Sequence, residues 1–191
     1  MVKKVLIGFL VVVVLFLGYV ATRSGTFRYE NSAIINAPAE KIFPYLSNFK
    51  MGGQWSPYEQ VDPNMKKTFT GEDGQVGSAM DFEGNSEAGS GRLEMKEIKP
   101  NEFVLIKLIM TKPMNAEQMI EYKLTPEAEG TRFTWTMYGD GGFMTKLMTV
   151  LIDCEAMFKG QMQKGFDNLK KVVETPAAAP SAAEPAASPA Q

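Results

Sequence analysis

From residue 65 to residue 138, apolar and polar side chains alternate with a period of two, and Gly-, Pro- and Asn-containing clusters interrupt the alternation at short intervals. Successive side chains of a strand point to opposite faces, so this pattern predicts strands, and connections this short join them as antiparallel hairpins. The strand candidates are residues 67–70, 78–83, 91–98, 102–110, 117–125 and 131–138. Their faces are readable: Met80 and Phe82 oppose Asp81 and Glu83, Leu93 and Met95 oppose Arg92, Glu94 and Lys96, and Phe133, Trp135 and Met137 oppose Arg132, Thr134 and Thr136. One dry face needs a cover. Residues 143–173 supply one, because Met144, Leu147, Met148, Leu151, Phe158, Met162, Phe166, Leu169 and Val173 follow three-and-four spacing and predict one long amphipathic helix.

Upstream, residues 30–36 alternate around Ala33 and Ile35 and predict a first strand. A short helix follows from Ala37-Pro38-Ala39-Glu40, with proline suited to the first turn, Glu40 favoured at the positive dipole end, and Ile42, Phe43, Tyr45 and Leu46 as its apolar side. Gly52-Gly53 stops any continuation before Trp55-Ser56-Pro57. The fold class is therefore α+β, a single domain over residues 30–174. The Ala, Pro, Ser and Glu of residues 175–191 cannot bury a core and are expected to form a disordered tail.

The N-terminus differs in kind. Residues 5–21 carry no charge, follow Lys3 and Lys4, and precede Arg23. As a helix the run is roughly 26 Å long, at the short end of what spans a bilayer core. A secretory signal also begins with lysines and an apolar run, but this run exceeds the usual length and no small-x-small site follows it. The reading adopted is an uncleaved transmembrane anchor over residues 1–21, then a polar tether over residues 22–29. A short basic stub ahead of the first helix favours a cytoplasmic N-terminus and a single-pass protein whose domain is exported to the periplasmic or extracellular face.

Composition removes several functions. The 20 basic and 22 acidic side chains are scattered and offer no basic stripe for nucleic acid. The absence of histidine excludes histidine triads and histidine-ligated metals, and the carboxylates lack a calcium-loop spacing, so neither metal nor cofactor is expected. Cys154 stands alone and cannot form an internal disulfide. Thirteen methionines fit a deformable apolar interior.

The element order resembles the helix-grip fold of the START-like (SRPBCC) superfamily, within it the polyketide cyclase/dehydrase-like group. The resemblance rests on Ile35-Asn36-Ala37-Pro38-Ala39-Glu40-Lys41-Ile42-Phe43, Trp55-Ser56-Pro57, Gly77-Ser78-Ala79 with Gly84-Asn85, Gly130-Thr131 with Thr134-Trp135, and Gly165-Phe166-Asp167-Asn168-Leu169-Lys170. It implies a curved antiparallel sheet of about seven strands wrapped around the C-terminal helix. Sheet and helix cannot fill all the space between them, which implies an apolar cavity and an apolar ligand, aromatic or acyl.

The candidate lining is Trp55, Met80, Phe82, Met95, Ile106, Leu108, Tyr122, Phe133, Trp135, Met144, Met148, Leu151 and Phe158. Each of these could instead simply pack in the core. Glu155 falls between Leu151 and Phe158 by helical spacing, where it could orient a polar ligand end, act as an acid or base, or form a salt bridge at the mouth. Tyr122 and Trp135 carry polar tips that could fix a carbonyl or hydroxyl, or meet a backbone partner. Glu155 and Tyr122 are the weak catalytic candidates. The favoured function is a membrane-tethered binding or carrier module for a hydrophobic small molecule or lipid. The alternative is a cyclase- or dehydratase-like enzyme, and a third reading is an envelope assembly factor with a vestigial cavity.

Overall fold

The computed structural model describes residues 2–175, and the expected tail falls outside them from residue 176 onward. Helix α1 (Val2–Ala21) is followed by strand β1 (Thr26–Ile35), helix α2 (Ala39–Ser47), a 3-10 turn (Phe49–Gln54) and the short helix α3 (Pro57–Gln60). Then come β2 (Lys66–Thr70), β3 (Ala79–Glu83), β4 (Ser90–Lys99), β5 (Phe103–Lys112), β6 (Ala116–Glu127) and β7 (Gly130–Asp140), and finally α4 (Gly142–Leu151) and α5 (Cys154–Glu174). The seven strands form one antiparallel sheet in the order β1-β7-β6-β5-β4-β3-β2, an uninterrupted meander with β1 returning to pair with β7. The α+β helix-grip architecture is the one expected.

Two expectations change. Strand β1 begins at Thr26 rather than at residue 30, and its register with β7 runs from Thr26 opposite Asp140 to Ile35 opposite Thr131. The polar–apolar alternation already starts at Thr26-Phe27-Arg28-Tyr29, so Phe27 and Tyr29 join the inner face and only residues 22–25 separate α1 from the sheet.

The second change is larger. The long C-terminal helix is two helices, because the chain becomes extended at Ile152 and the Asp153 carboxylate accepts the Ala156 N–H at 2.9 Å, capping a new helix. A side chain that satisfies a free N–H of the first turn competes well with continuation of the preceding helix.

The two pieces are held differently. In α5 the residues Met162, Phe166, Leu169 and Val173 are buried against the sheet, whereas α4 buries no residue completely. Phe166 meets Phe133 edge to face at 5.2 Å, and Gly165 lets the helix settle onto the Trp135 ring. A Cβ at Gly165 would lie 2.7 Å from Trp135 Cζ3 and 3.3 Å from Pro57 Cδ. Replacing Gly165 with Val should therefore destabilise the domain by about 1–3 kcal/mol through overpacking, read as a lower urea midpoint with an unchanged slope. An unchanged midpoint would show that α5 does not seat where described.

Candidate functional site

Between the inner face of the sheet, the α2–α3 region, α4 and the first half of α5 lies a cavity of about 510 Å³. Its walls follow from sheet alternation. Strand β6 contributes Gln118, Ile120 and Tyr122 from one face, β7 contributes Trp135 and Met137, and β5 contributes Ile106, Leu108 and Met110. Strand β3 adds Met80 and Phe82, and β1 adds Phe27 and Tyr29, which stack with Phe158 of α5 at 5–7 Å spacings typical of ring pairs. Eight of the thirteen methionines line it: Met80, Met110 and Met137 on strands, Met65 and Met114 in connections, and Met144, Met148 and Met157 on α4 and α5. Flexible thioether side chains suit a wall that must adapt to an occupant.

Of the expected lining, Trp55, Met80, Phe82, Ile106, Leu108, Tyr122, Trp135, Met144, Met148 and Phe158 face the cavity. Four candidates do not. Met95 and Phe133 are fully buried in the packed core, Phe133 because Phe166 of α5 covers it. Leu151 is 62% exposed, and Glu155 has a 60% exposed side chain ion-paired with Lys159 one turn along α5 at 2.7 Å. Both lose the inner position because the helix break at Asp153 resets the helical phase on which their placement relied.

The carboxylate that does reach the cavity is Glu59, on α3. Its side chain is 9% exposed and pairs with Lys67 of β2 at 2.5 Å, and the close approach of its Oε1 to Gly52 leaves no room for a Cβ at that position. Glu59 and its neighbour Tyr58 sit on a four-residue helix too short to show periodicity, and the Ser56-Pro57 start was the only signal for it.

Tyr58, Tyr122, Trp55 and Trp135 form an edge-to-face aromatic group with centroids 5.4–6.4 Å apart. The Trp55 indole N–H donates to the Tyr45 carbonyl at 2.8 Å, which fixes that ring. Trp135 has no such partner. Among the described residues four buried side-chain polar atoms make no hydrogen bond, namely Tyr58 Oη, Trp135 Nε1, Gln118 Oε1 and Gln161 Oε1, and all four belong to residues of the cavity wall. Tyr58 as a residue is half-buried, but its hydroxyl is fully buried. Among the described residues no group of three Cys, Asp or Glu side chains is arranged to hold a metal ion.

Burial pushes the Tyr58 and Tyr122 hydroxyls well above the ordinary phenol range, with the nearby Tyr58 and Glu59 adding to the effect on Tyr122. The folded state thus keeps both protons where the unfolded chain releases them. This contribution to stability is complete below about pH 10 and is lost as pH rises beyond it. Tyrosinate absorbance should show both phenols ionising only together with alkaline unfolding, and the Tyr58→Phe, Tyr122→Phe double variant should unfold at higher pH. Ionisation of every tyrosine before any loss of circular dichroism would contradict this burial.

A profile of the family described as polyketide cyclase / dehydrase and lipid transport matches residues 26–174. No curated protein is similar to the chain in sequence. Solved structures share the fold. Protein MLL2253 from Mesorhizobium loti aligns at TM-score 0.59 and 15% identity, covering 80% of this chain and 100% of its own. Protein CV1439 from Chromobacterium violaceum aligns at 0.56 and 15%, covering 80% and 99%. The Aha1 dimer from Colwellia psychrerythraea aligns at 0.51 and 20%, covering 75% and 96%.

Proposed function

Because the chain belongs to the polyketide cyclase / dehydrase and lipid transport family, we propose that it is a membrane-tethered carrier that takes a hydrophobic small molecule or lipid from the bilayer into its cavity. The observation that carries this reading is the place of α4. One side of this helix gives the cavity Met144, Thr145 and Met148. Elsewhere on it, Lys146 Nζ donates to the Ala21 carbonyl at the end of α1 at 3.0 Å. Val20 of α1 is fully buried, and Thr149 and Val150 border the same small cleft as Tyr19 and Arg23.

Helix α1 is long and apolar enough to cross a membrane, and little of its surface is covered by the domain. If it spans, its last turn and α4 share the headgroup level, and the apolar side chains exposed around the cavity mouth meet acyl chains. Among residues of the cavity wall these are Met114, Met144 and Met157, and Phe143, Leu151 and Ile152 are exposed on and just after α4. Such a cluster beside a mouth is too large and too apolar to be indifferent to a nearby bilayer. The short basic stub ahead of α1 favours a cytoplasmic N-terminus, which supports a domain carried on the exported face.

The enzymatic alternative is weakened by Glu155, which points to solvent, and by Glu59, whose charge is already engaged by Lys67. A cavity of this volume also sits poorly with a vestigial one. Native mass spectrometry of the full chain, gently extracted from its membranes, should find one apolar molecule bound per chain, recoverable by solvent extraction. Protein free of any lipophile after extraction from several membranes would overturn the carrier reading.

A further inference from the structure

The cavity wall is apolar, yet its polar atoms follow a pattern of their own. Buried polar groups in folded proteins are nearly always hydrogen-bonded, because each one left unpaired costs a large part of its hydration. Among the described residues the buried side-chain atoms without a partner all belong to residues of the cavity wall, and two of them, Trp135 Nε1 and Tyr58 Oη, belong to rings in edge-to-face contact with centroids 6.4 Å apart. An indole N–H can only donate. The Tyr58 phenol stays protonated and can also donate. Two unpaired donors on neighbouring rings call for an oxygen acceptor on whatever occupies the cavity.

The charge of that acceptor follows from the rest of the lining. The charged side chains of the wall are Glu59, Glu87 and Glu117, and none of the lining residues is lysine or arginine. Lys67 and Lys107, the cations closest to two of these carboxylates, are engaged with Glu59 and Glu117 at 2.5 and 2.7 Å. A carboxylate or phosphate drawn into this cavity would lose its hydration and meet acidic groups without a compensating cation.

We infer that the cavity selects an uncharged lipophile bearing a carbonyl or ester oxygen, held by the Trp135 indole N–H and the Tyr58 hydroxyl, over fatty acids and other anionic lipids. This rests on the reading of the cavity as a lipophile site. The unpaired Oε1 atoms of Gln118 and Gln161 can only accept, and they suit a hydroxyl elsewhere on the same occupant.

The two tryptophans of the chain, Trp55 and Trp135, both line the cavity, so a brominated occupant quenches the intrinsic fluorescence directly. Three brominated probes of one chain length would be titrated into phosphatidylcholine nanodiscs holding the full chain: an alkane, a methyl ketone and a fatty acid in its ionised form. At equal mole fraction in the bilayer, the ketone should half-saturate about tenfold below the alkane and the carboxylate, the effect of one well-made buried hydrogen bond.

Tyr58→Phe should move the ketone toward the alkane and leave the alkane unchanged. Trp135→Phe should do the same with Trp55 as reporter, and Tyr58→Phe, which keeps the ring, decides the matter if the tryptophan variant does not fold. A carboxylate that binds as well as the ketone overturns the inference, as does a Tyr58→Phe variant that shifts ketone and alkane alike. Equal quenching by all three probes overturns it while leaving the lipophile site standing. Quenching by none of them removes both.

Discussion

The cavity depends on one hydrogen bond at the start of α5, from the Ala156 N–H to the Asp153 carboxylate. Had the chain continued as one helix from residue 143 to residue 173, its apolar stripe would lie along the sheet throughout and fill the grip. Capping at Asp153 divides it. Helix α5 closes the core with Met162, Phe166 and Leu169, all without exposed surface, while the segment before the break stands off as α4. The gap between them becomes the cavity, and α4 becomes the piece that connects it to the end of α1.

That division also explains the unusual polarity of the wall. Where α5 presses on the sheet, side chains such as Phe133 are covered and Trp135 is packed on its outer edge by Gly165. Beyond that point the same sheet face borders the cavity, and the indole N–H of Trp135 and the hydroxyl of Tyr58 on α3, both on residues of its wall, are buried without a partner. A core built for stability alone would pair these groups or replace them with hydrocarbon, because an unpaired buried donor is costly.

Much of the fold was legible because it rests on period-two alternation and turn chemistry, which act locally: each strand from β2 to β7 lies within a few residues of its expected span. The inner face was legible for the same reason. What alternation cannot say is which inner residues a helix covers, so Phe133 and Met95 looked equivalent to Trp135 and Met80 until α5 was placed. Helical spacing ran through the break without interruption in the apolar residues, and only the Ile152-Asp153 pair marked it, which misplaced Leu151 and Glu155. Tyr58 and Glu59 were missed because a four-residue helix shows no periodicity, and Phe27 and Tyr29 because residues 22–29 read as a tether although their alternation already starts at Thr26.

In the proposed tethered arrangement α1 crosses the bilayer and α4 turns the cavity mouth toward it. Collision-accessibility measurements on nitroxide labels test it in nanodiscs, with one label at Met144→Cys on α4 and one at Glu127→Cys at the end of β6, each in a Cys154→Ala background. The account predicts that the label at position 144 collides with oxygen and is shielded from a water-soluble nickel complex, while the label at position 127 shows the reverse. Equal access of the nickel complex to both labels would contradict it.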